Sequence, residues 1–456
     1  MEIKYIIENS KKMLDKKVEV SGWIRNHRPQ KEFGFIDFSD GTCFKHLQIV
    51  YDNTLKNFND VAKLLVGSSI KVTGTLVKSS GNQEFEIKAN DIEILDRCPE
   101  DYPIQAKRHT KEFLRENAYL RPRTNMFQAV FRIRSLAAQA IHKYFGENGY
   151  VYVNTPIITA SDCEGAGEMF QVTTLDLEKV AKNGKVDYSK DFFGKLTGLT
   201  VSGQLEAETF ALAFSKVYTF GPTFRAENSN TKTHMAEFWM IEPEIAFCDL
   251  DGLMNIEEEM LKYVIKYCLD NAWDELEFLD KFVENGLIKK LEKVINSKFT
   301  RVTHEEVIKI LKESKEKFEF EPEYGEDIAK EHEKYITEYF DGPVFIYNWP
   351  KDIKAFYMKQ NADGKTVGAV DLELPGVGEL IGGSQREENY EKLINRMKEL
   401  NMNPDDMYWY VNLRKYGSCI HSGFGLGFER LVMYLTGMEN IRDVIPYYRT
   451  PGNCEF

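Results

Sequence analysis

The chain has 456 residues, enough for two or three domains with sizeable buried cores. Its 43% apolar, 13% aromatic and 29% charged composition excludes both a disulfide-stapled miniature fold and a mainly disordered chain. The net charge of −13, from 59 basic and 72 acidic side chains, argues against general nucleic-acid affinity. A local basic surface stays open, because residues 1–120 carry 19 basic and 18 acidic groups whereas residues 251–340 carry 14 and 23. The seven cysteines, at 43, 98, 163, 248, 268, 419 and 454, are an odd number with none within four residues of another. Neither a disulfide framework nor a CxxC metal knuckle is expected. Reduced thiols, an N-terminus without a continuous apolar core and no window of 18 apolar residues lead us to expect a cytoplasmic protein without a membrane partner.

Residues 17–97 hold five alternating, β-branched segments, KVEVSGWI, FGFIDFSD, KHLQIVYD, SIKVTGTLVKS and EFEIKANDIEIL, with Gly, Asp and Asn between them. With a helical piece, NTLKNFNDVAKLLVG, between the third and fourth, they predict an all-β barrel of the oligonucleotide-binding (OB) type over residues 1–100. An SH3-like barrel or part of a sandwich fits the same alternation. Residues 101–125 read as a charged linker with spaced prolines. From Met126 the positions Phe127, Val130, Ile133, Ala137, Ile141 and Tyr144 recur at three- and four-residue steps. This spacing predicts a helix capped by Thr124 or Asn125 and ended at Gly146 or Gly149. YVYVNTPIIT is then extended, with Pro156 placing it at a sheet edge. Further strands are predicted at 210–220, 236–247, 344–348, 366–374 and 408–413, and the acidic, helix-rich stretch at about 251–340 reads as an insertion. Residues 126–456 thus form an α+β domain.

Four segments can carry chemistry. In GPTFRAENSNTKTHMAEFWMIEPEIAF, a strand from Thr219, a polar turn at 228–232 and a strand returning to Phe247 present Arg225, Glu227, His234, Phe238 and Glu242 on one surface. A planar donor fork beside an aromatic platform suits a phosphate and a base; an ordinary hairpin with solvated charges is the plainer reading. In GFGLGFERLVMYLTG, at 423–437, alternate glycines admit close backbone approach, which packing alone would explain. Arg430, in the first turn of the following helix, opposes the dipole preference there and is expected to hold an anion. In DLELPGVGELIGGSQRE, at 371–387, Asp371 and Glu379 flank a turn and Arg386 follows a Gly pair. Paired carboxylates near phosphate-binding arginines suit Mg²⁺, and a solvated loop suits them as well. In LTVSGQLEAETF, at 199–210, Ser202, Gln204 and Glu208 stand at a helix start.

Together these segments resemble the class II aminoacyl-tRNA synthetases. FRAENSNTKTHMAEF is similar to their motif 2, GFGLGFERLVM to motif 3, and the helix leading into VYVNTPII to motif 1 with its interface proline. The resemblance covers essentially the whole chain. SGQLEAE, NWPKDIKAFYM, GELIGGSQRE and RDVIPYYRTPGNCEF resemble the asparaginyl branch of the subgroup that also holds the aspartyl and lysyl enzymes. The resemblance implies an OB-type anticodon-binding barrel joined to a catalytic domain built on an antiparallel sheet flanked by helices, in a homodimer. The implied activity is activation of asparagine by ATP, assisted by Mg²⁺, and transfer to tRNA(Asn).

Residue by residue, the resemblance implies that Arg225 and Arg430 are catalytic, the first gripping the α-phosphate of ATP, the second holding the distal phosphates with His234. Phe238 would stack on adenine and Glu227 face its edge. Asp371 and Glu379 match the Mg²⁺ carboxylates, with Gly382 where some relatives carry a serine that helps the metal. Glu164 and Gln204 match groups that hold the substrate ammonium, with Ser202 at the same turn. Phe35 and Gln48 match anticodon-contacting positions, with Val50 where a second aromatic is expected.

A carboxylate only accepts hydrogen bonds, whereas a carboxamide needs one donor and one acceptor. Aspartyl enzymes of the subgroup supply a lysine three residues after the glutamine of the SGQL-type turn, where Ala207 stands here. Arg386 is expected to hold the carboxamide oxygen and Glu242 to accept from its NH₂; a Glu242 ion pair with a neighbouring base is the plainer reading. The competing functions are an aspartyl enzyme, an inactive RNA-binding relative and an ammonia-dependent asparagine synthetase. The last would lack the barrel, and an inactive relative is expected to have lost one of Arg225, Arg430 or Glu379, all of which are present.

Overall fold

The computed structural model describes residues 1–81, 83–163, 169–229 and 231–456, and they divide into two compact units, 1–129 and 130–456. In the first unit the predicted strands are β1 (Lys17–Pro29), β2 (Phe33–Ser39), β3 (Leu47–Asp52), β4 (Ser69–Lys78) and β5 (Phe85–Asp96). They close as a barrel in the order β1-β2-β3-β5-β4, which removes the sandwich alternative. Alternation decides what lies inside: Val18, Val20, Ile24, Ile36, Phe38, Ile49, Ile70 and Val72 form the core, joined by Ile3 and Ile6 of the helix Ile3–Glu8. At Gly22 a Cβ would lie 2.5 Å from the carbonyl oxygen of Ser39, so only glycine lets β1 pass that close to β2.

Residues 101–125 are more than a linker. They hold the helix Lys111–Glu116, capped by the Thr110 hydroxyl, and a fully buried Arg121 whose guanidinium lies 4.6 Å from the Phe127 ring. A buried cation on an aromatic face ties the segment down, and the division between units falls inside the helix Asn125–Glu147.

In the second unit the strands are β6 (Val151–Tyr152), β7 (Ile158–Thr159), β8 (Gln171–Val172), β9 (Thr197–Leu199), β10 (Lys216–Phe224), β11 (Glu237–Ala246), β12 (Thr300–Thr303), β13 (Val344–Pro350), β14 (Thr366–Leu374), β15 (Gly378–Gln385) and β16 (His421–Gly427). Eight of them make a sheet in the order β12-β13-β14-β15-β16-β11-β10-β6, and β7-β9-β8 form a small separate sheet. The large sheet is antiparallel through its middle and parallel at both edge pairs, β12 with β13 and β6 with β10, so it is mixed rather than purely antiparallel.

Two strand expectations fail. Residues 210–214 belong to the helix Gln204–Phe214, and β10 starts only after Ser215, which takes φ 68°. Leu205, Glu208 and Ala211 recur at helical spacing on its buried side, and that packing outweighs the apolar run that suggested a strand. The aromatic run at 408–413 is the helix Tyr408–Asn412; Tyr410 and Val411 pack with Leu393 and Met397, a tertiary fit that overrides β-propensity. Nor is 251–340 an appendage: the helix Leu250–Asn271 packs on β14, β15 and β16, β12 is a sheet strand, and the helix Lys330–Tyr339 packs on β14 and β15.

Phe127, Val130, Ile133, Ala137, Ile141 and Tyr144 are all buried within the chain, so this helical stripe is core. What stays uncovered is the edge: Val151 and Tyr152 of β6, then Ile157 and Ile158, are each more than 40% exposed. Among the described residues no helix is long and apolar enough to cross a membrane.

Candidate active site

The hairpin β10–β11 and the turn from β16 into the helix Phe428–Thr436 build one wall each of a cleft of about 150 Å³. All six side chains expected to hold a nucleotide line it: Arg225, Glu227, His234, Phe238, Glu379 and Arg430. The Arg225 guanidinium lies over the Phe238 ring, 5.4 Å from its centre. The opposite wall is lined by Gly425 and Gly427; a Cβ at Gly425 would meet the Met240 methyl at 2.7 Å and narrow the cleft.

Neighbouring residues of the motif 3 segment divide the work. Glu429 turns inward, accepting the Trp239 N–H at 2.9 Å and pairing with Arg134 at 2.7 Å, which anchors the helix. Arg430 turns to the cleft, donating to the Glu379 carbonyl at 3.0 Å with the Glu379 carboxylate 3.6 Å away. Burial, then Arg430, holds the His234 imidazole below the usual histidine range, so a bound polyanion would restore its charge. Lys330 also reaches this end, 3.3 Å from the Thr233 hydroxyl; it comes from the acidic stretch, and no local pattern marks it.

Asp371 on β14 lies opposite Gly382 on β15. A Cβ at Gly382 would stand 2.9 Å from one Glu379 carboxylate oxygen and 3.5 Å from one of Asp371, so both acids face one small space that the missing side chain leaves open. Lys354, 2.8 Å from Asp371 and 3.8 Å from the Trp349 ring centre, offsets part of the charge. Burial, with Glu379 adding to it against Lys354, still pushes the Asp371 carboxyl up to about 6. Two acids held together at this cost are arranged as a divalent cation would want them. Among the described residues no three His, Cys, Asp or Glu side chains converge on a metal position, so a cation here needs further oxygens from its ligand.

The residues expected to take the amino acid meet at the turn before the helix Gln204–Phe214. Glu242 accepts from the Ser202 hydroxyl and, at 2.9 Å, from the Gly203 N–H. Gln204 donates its NH₂ to Glu208 at 3.2 Å, which leaves its carbonyl oxygen as the acceptor for a ligand. Arg386, on the other side, donates Nε at 3.2 Å and Nη2 at 2.5 Å to Glu244 and Nη1 at 2.8 Å to Ser384. Glu244 was not singled out in the sequence, although EPE on one strand puts Glu242 and Glu244 on the same face. Glu208 likewise turns out to be the centre of a buried network with Tyr410, Arg414 and His421. His421 is held between Glu208 and the Cys419 carbonyl. Glu164 lies outside the described residues.

In the barrel, Phe35 is half-buried on the outer face of β2 opposite Val50, so it is not core. Arg28 lies 5.3 Å from its ring, and Phe33 meets it edge-on at 5.5 Å. Gln48 accepts from Arg28 at 3.2 Å and donates to Glu86 at 2.8 Å. Two rings, an arginine and an amide on one outer face make a surface on which unstacked bases can lie.

A family model described as tRNA synthetases class II (D, K and N) matches residues 110–451, and one described as OB-fold nucleic acid binding domain matches residues 18–95. The chain is 58% identical to the asparagine-tRNA ligases of Clostridium tetani and of Acholeplasma laidlawii, over 100% of its own length and 99% of theirs. Among solved structures it is similar to the asparaginyl-tRNA synthetase from Pyrococcus horikoshii complexed with asparaginyl-adenylate, with a TM-score of 0.85 and 31% identity over 97% of both chains. It is also similar to that from Entamoeba histolytica in complex with asparaginyl-adenylate, at 0.83 and 28% over 97% of both.

Proposed function

We propose that this chain, which belongs to the class II tRNA synthetases of the D, K and N group, activates asparagine with ATP to asparaginyl-adenylate and transfers the asparaginyl group to tRNA(Asn). The observation that carries this reading is the cleft in which an aromatic platform, two arginines, a histidine and the carboxylates of Glu227 and Glu379 meet. Phe238 stacks on adenine, Glu227 takes its edge, Arg225 grips the α-phosphate, and Arg430 with His234 holds the distal phosphates. The asparagine carboxylate attacks the α-phosphorus, negative charge grows on the phosphoryl oxygens, and pyrophosphate leaves. Fixed guanidinium groups stabilise that charge, and positioning replaces a protein nucleophile. Asp371 and Glu379 would hold Mg²⁺ in the space beside Gly382; when bound, the ion neutralises phosphate oxygens. The free carbonyl oxygen of Gln204 takes the substrate ammonium, and the Ser202 turn seats it. Three of the five N–H groups of Arg386 are taken up by Glu244 and Ser384, leaving two for the carboxamide oxygen.

Pyrophosphate exchange measured with each of the twenty amino acids tests the reading. Asparagine alone is expected to drive it, and a preference for aspartate would overturn it. Glu242, which seats the Ser202 turn, also accepts from the carboxamide NH₂ in this reading. Glu242→Gln is therefore expected to lower kcat/KM for asparagine by at least about tenfold and so narrow its lead over aspartate; an unchanged ratio would reject the role.

The outer face around Phe35 and Gln48 reads the anticodon, by stacking and by edge hydrogen bonds. Gln48→Ala is expected to weaken tRNA charging by about tenfold and to leave exchange at the parent level; equal losses in both assays would make Gln48 a folding residue only. The exposed edge at Val151, Tyr152, Ile157 and Ile158 is covered by a second copy in a homodimer. Sedimentation at micromolar concentration should show twice the chain mass, and a 52.8 kDa species would rule the dimer out. The proposed location is the cytoplasm, in keeping with seven cysteines that form no disulfide among the described residues.

A further inference from the structure

We infer that Glu208 is a specificity-determining residue acting through Arg386: the guanidinium that receives the substrate side chain is already matched by two buried carboxylates, Glu244 and Glu208, and so takes a neutral carboxamide and refuses the carboxylate of aspartate. The inference rests on the proposed activation of asparagine at this site. A lone buried arginine would attract aspartate strongly, because little water remains to screen it and Arg386 is 3% exposed. Glu244, fully buried, grips it through two N–H groups. Glu208, also fully buried, stands 4.0 Å from its Nε on a separate element, the helix Gln204–Phe214.

Glu208 is held as an anion. It takes Arg414 at 2.7 Å, the Tyr410 hydroxyl at 2.8 Å, His421 at 3.0 Å and the Gln204 amide at 3.2 Å. Burial alone would raise its carboxyl, but Arg414, His421 and Arg386 together hold it well below the usual range. The charge at this spot is thus held by protein groups, through Arg414, Tyr410, His421 and Gln204. An aspartate side chain reaching Arg386 would bring a third carboxylate to one guanidinium. The carboxamide of asparagine uses the same N–H groups and adds no charge. Through the Gln204 amide the same carboxylate also orients the group that receives the ammonium, so selection and seating share one anchor.

The test is Glu208→Gln, read as kcat/KM for asparagine and for aspartate in pyrophosphate exchange, with folding followed by thermal melting. The aspartate value is expected to rise at least tenfold relative to asparagine, in contrast with Glu242→Gln, which acts by lowering asparagine use. Equal loss for both amino acids, with the ratio unmoved, would show a merely structural role and overturn the inference. Because Arg414 would be left without its buried partner, Glu208→Gln combined with Arg414→Gln removes the pair as a unit and is expected to shift the ratio in the same direction. The unmodified protein supplies an independent arm: aspartate β-methyl ester, which is neutral, is expected to compete with asparagine at least tenfold better than aspartate does. Equal competition by the two would refute refusal by charge. A parent enzyme that prefers aspartate would instead defeat the proposed function, a result distinct from a parent that prefers asparagine with a ratio insensitive to Glu208.

Discussion

Arg225→Ala is expected to lower asparagine-dependent pyrophosphate exchange by about 10³-fold, the scale seen when a preorganised donor to a developing oxyanion is removed, with the fold intact. The reason for both halves is local. The Arg225 side chain lines the cleft beside Phe238, and its backbone N–H, donated to the Ala236 carbonyl at 2.9 Å, is a bond that alanine keeps. Removing the guanidinium keeps that backbone bond and, in the proposed reaction, takes away charge where the α-phosphate develops it. The melting temperature should stay within about 2 °C of the parent. Activity within about tenfold, equivalent to about 1.4 kcal/mol, would mean that Arg225 does not touch the reacting phosphate.

Gly423→Ala is expected to damage both stability and activity, although it adds one methyl group. Gly423 on β16 pairs with Glu244 on β11, and a Cβ there would collide with the Glu244 carboxylate. That carboxylate has nowhere to go, being fully buried and tied to Arg386 through two N–H groups. Pushing it aside breaks a buried ion pair, at a cost of about 3–5 kcal/mol, and disorders the guanidinium proposed to receive the carboxamide. Melting should fall by several degrees and exchange by at least about 10²-fold. Gly146 supplies the control: it lies in the helix Asn125–Glu147 with open space where a Cβ would go, so Gly146→Ala should be neutral or slightly stabilising. Parent-like behaviour of Gly423→Ala would show that Glu244 has freedom the packing denies it.

The barrel was legible because a strand's inside and outside alternate with period two, and KVEVSGWI or SIKVTGTLVKS states that alternation within one segment. The helix Gln204–Phe214 was misread at its end because ETFALAF is apolar at nearly every position, and such a run carries no period to separate helix from strand. The run YWYV went the same way, its aromatic and β-branched composition favouring a strand until packing against Leu393 and Met397 decided for a helix. Lys330 shows a further limit: a lysine in a charged helical stretch looks solvated, and only the seating of that helix on β14 and β15 brings it to Thr233.

By itself, then, the sequence determined which residues line the cleft, because Arg225, Glu227, His234 and Phe238 lie on one hairpin and Arg430 on one strand-to-helix turn, where local spacing decides which way a side chain points. Only the tertiary structure decided how the buried charges pair. Glu242 reaches Ser202 across 40 residues, Arg386 finds Glu244 across 142, and Glu208 finds Arg414 across 206 and His421 across 213. A buried charge requires a partner, but which partner depends on the order of strands in the sheet and on the helix laid across them. No periodicity within a segment encodes that order, because it is set by how all the segments share one core.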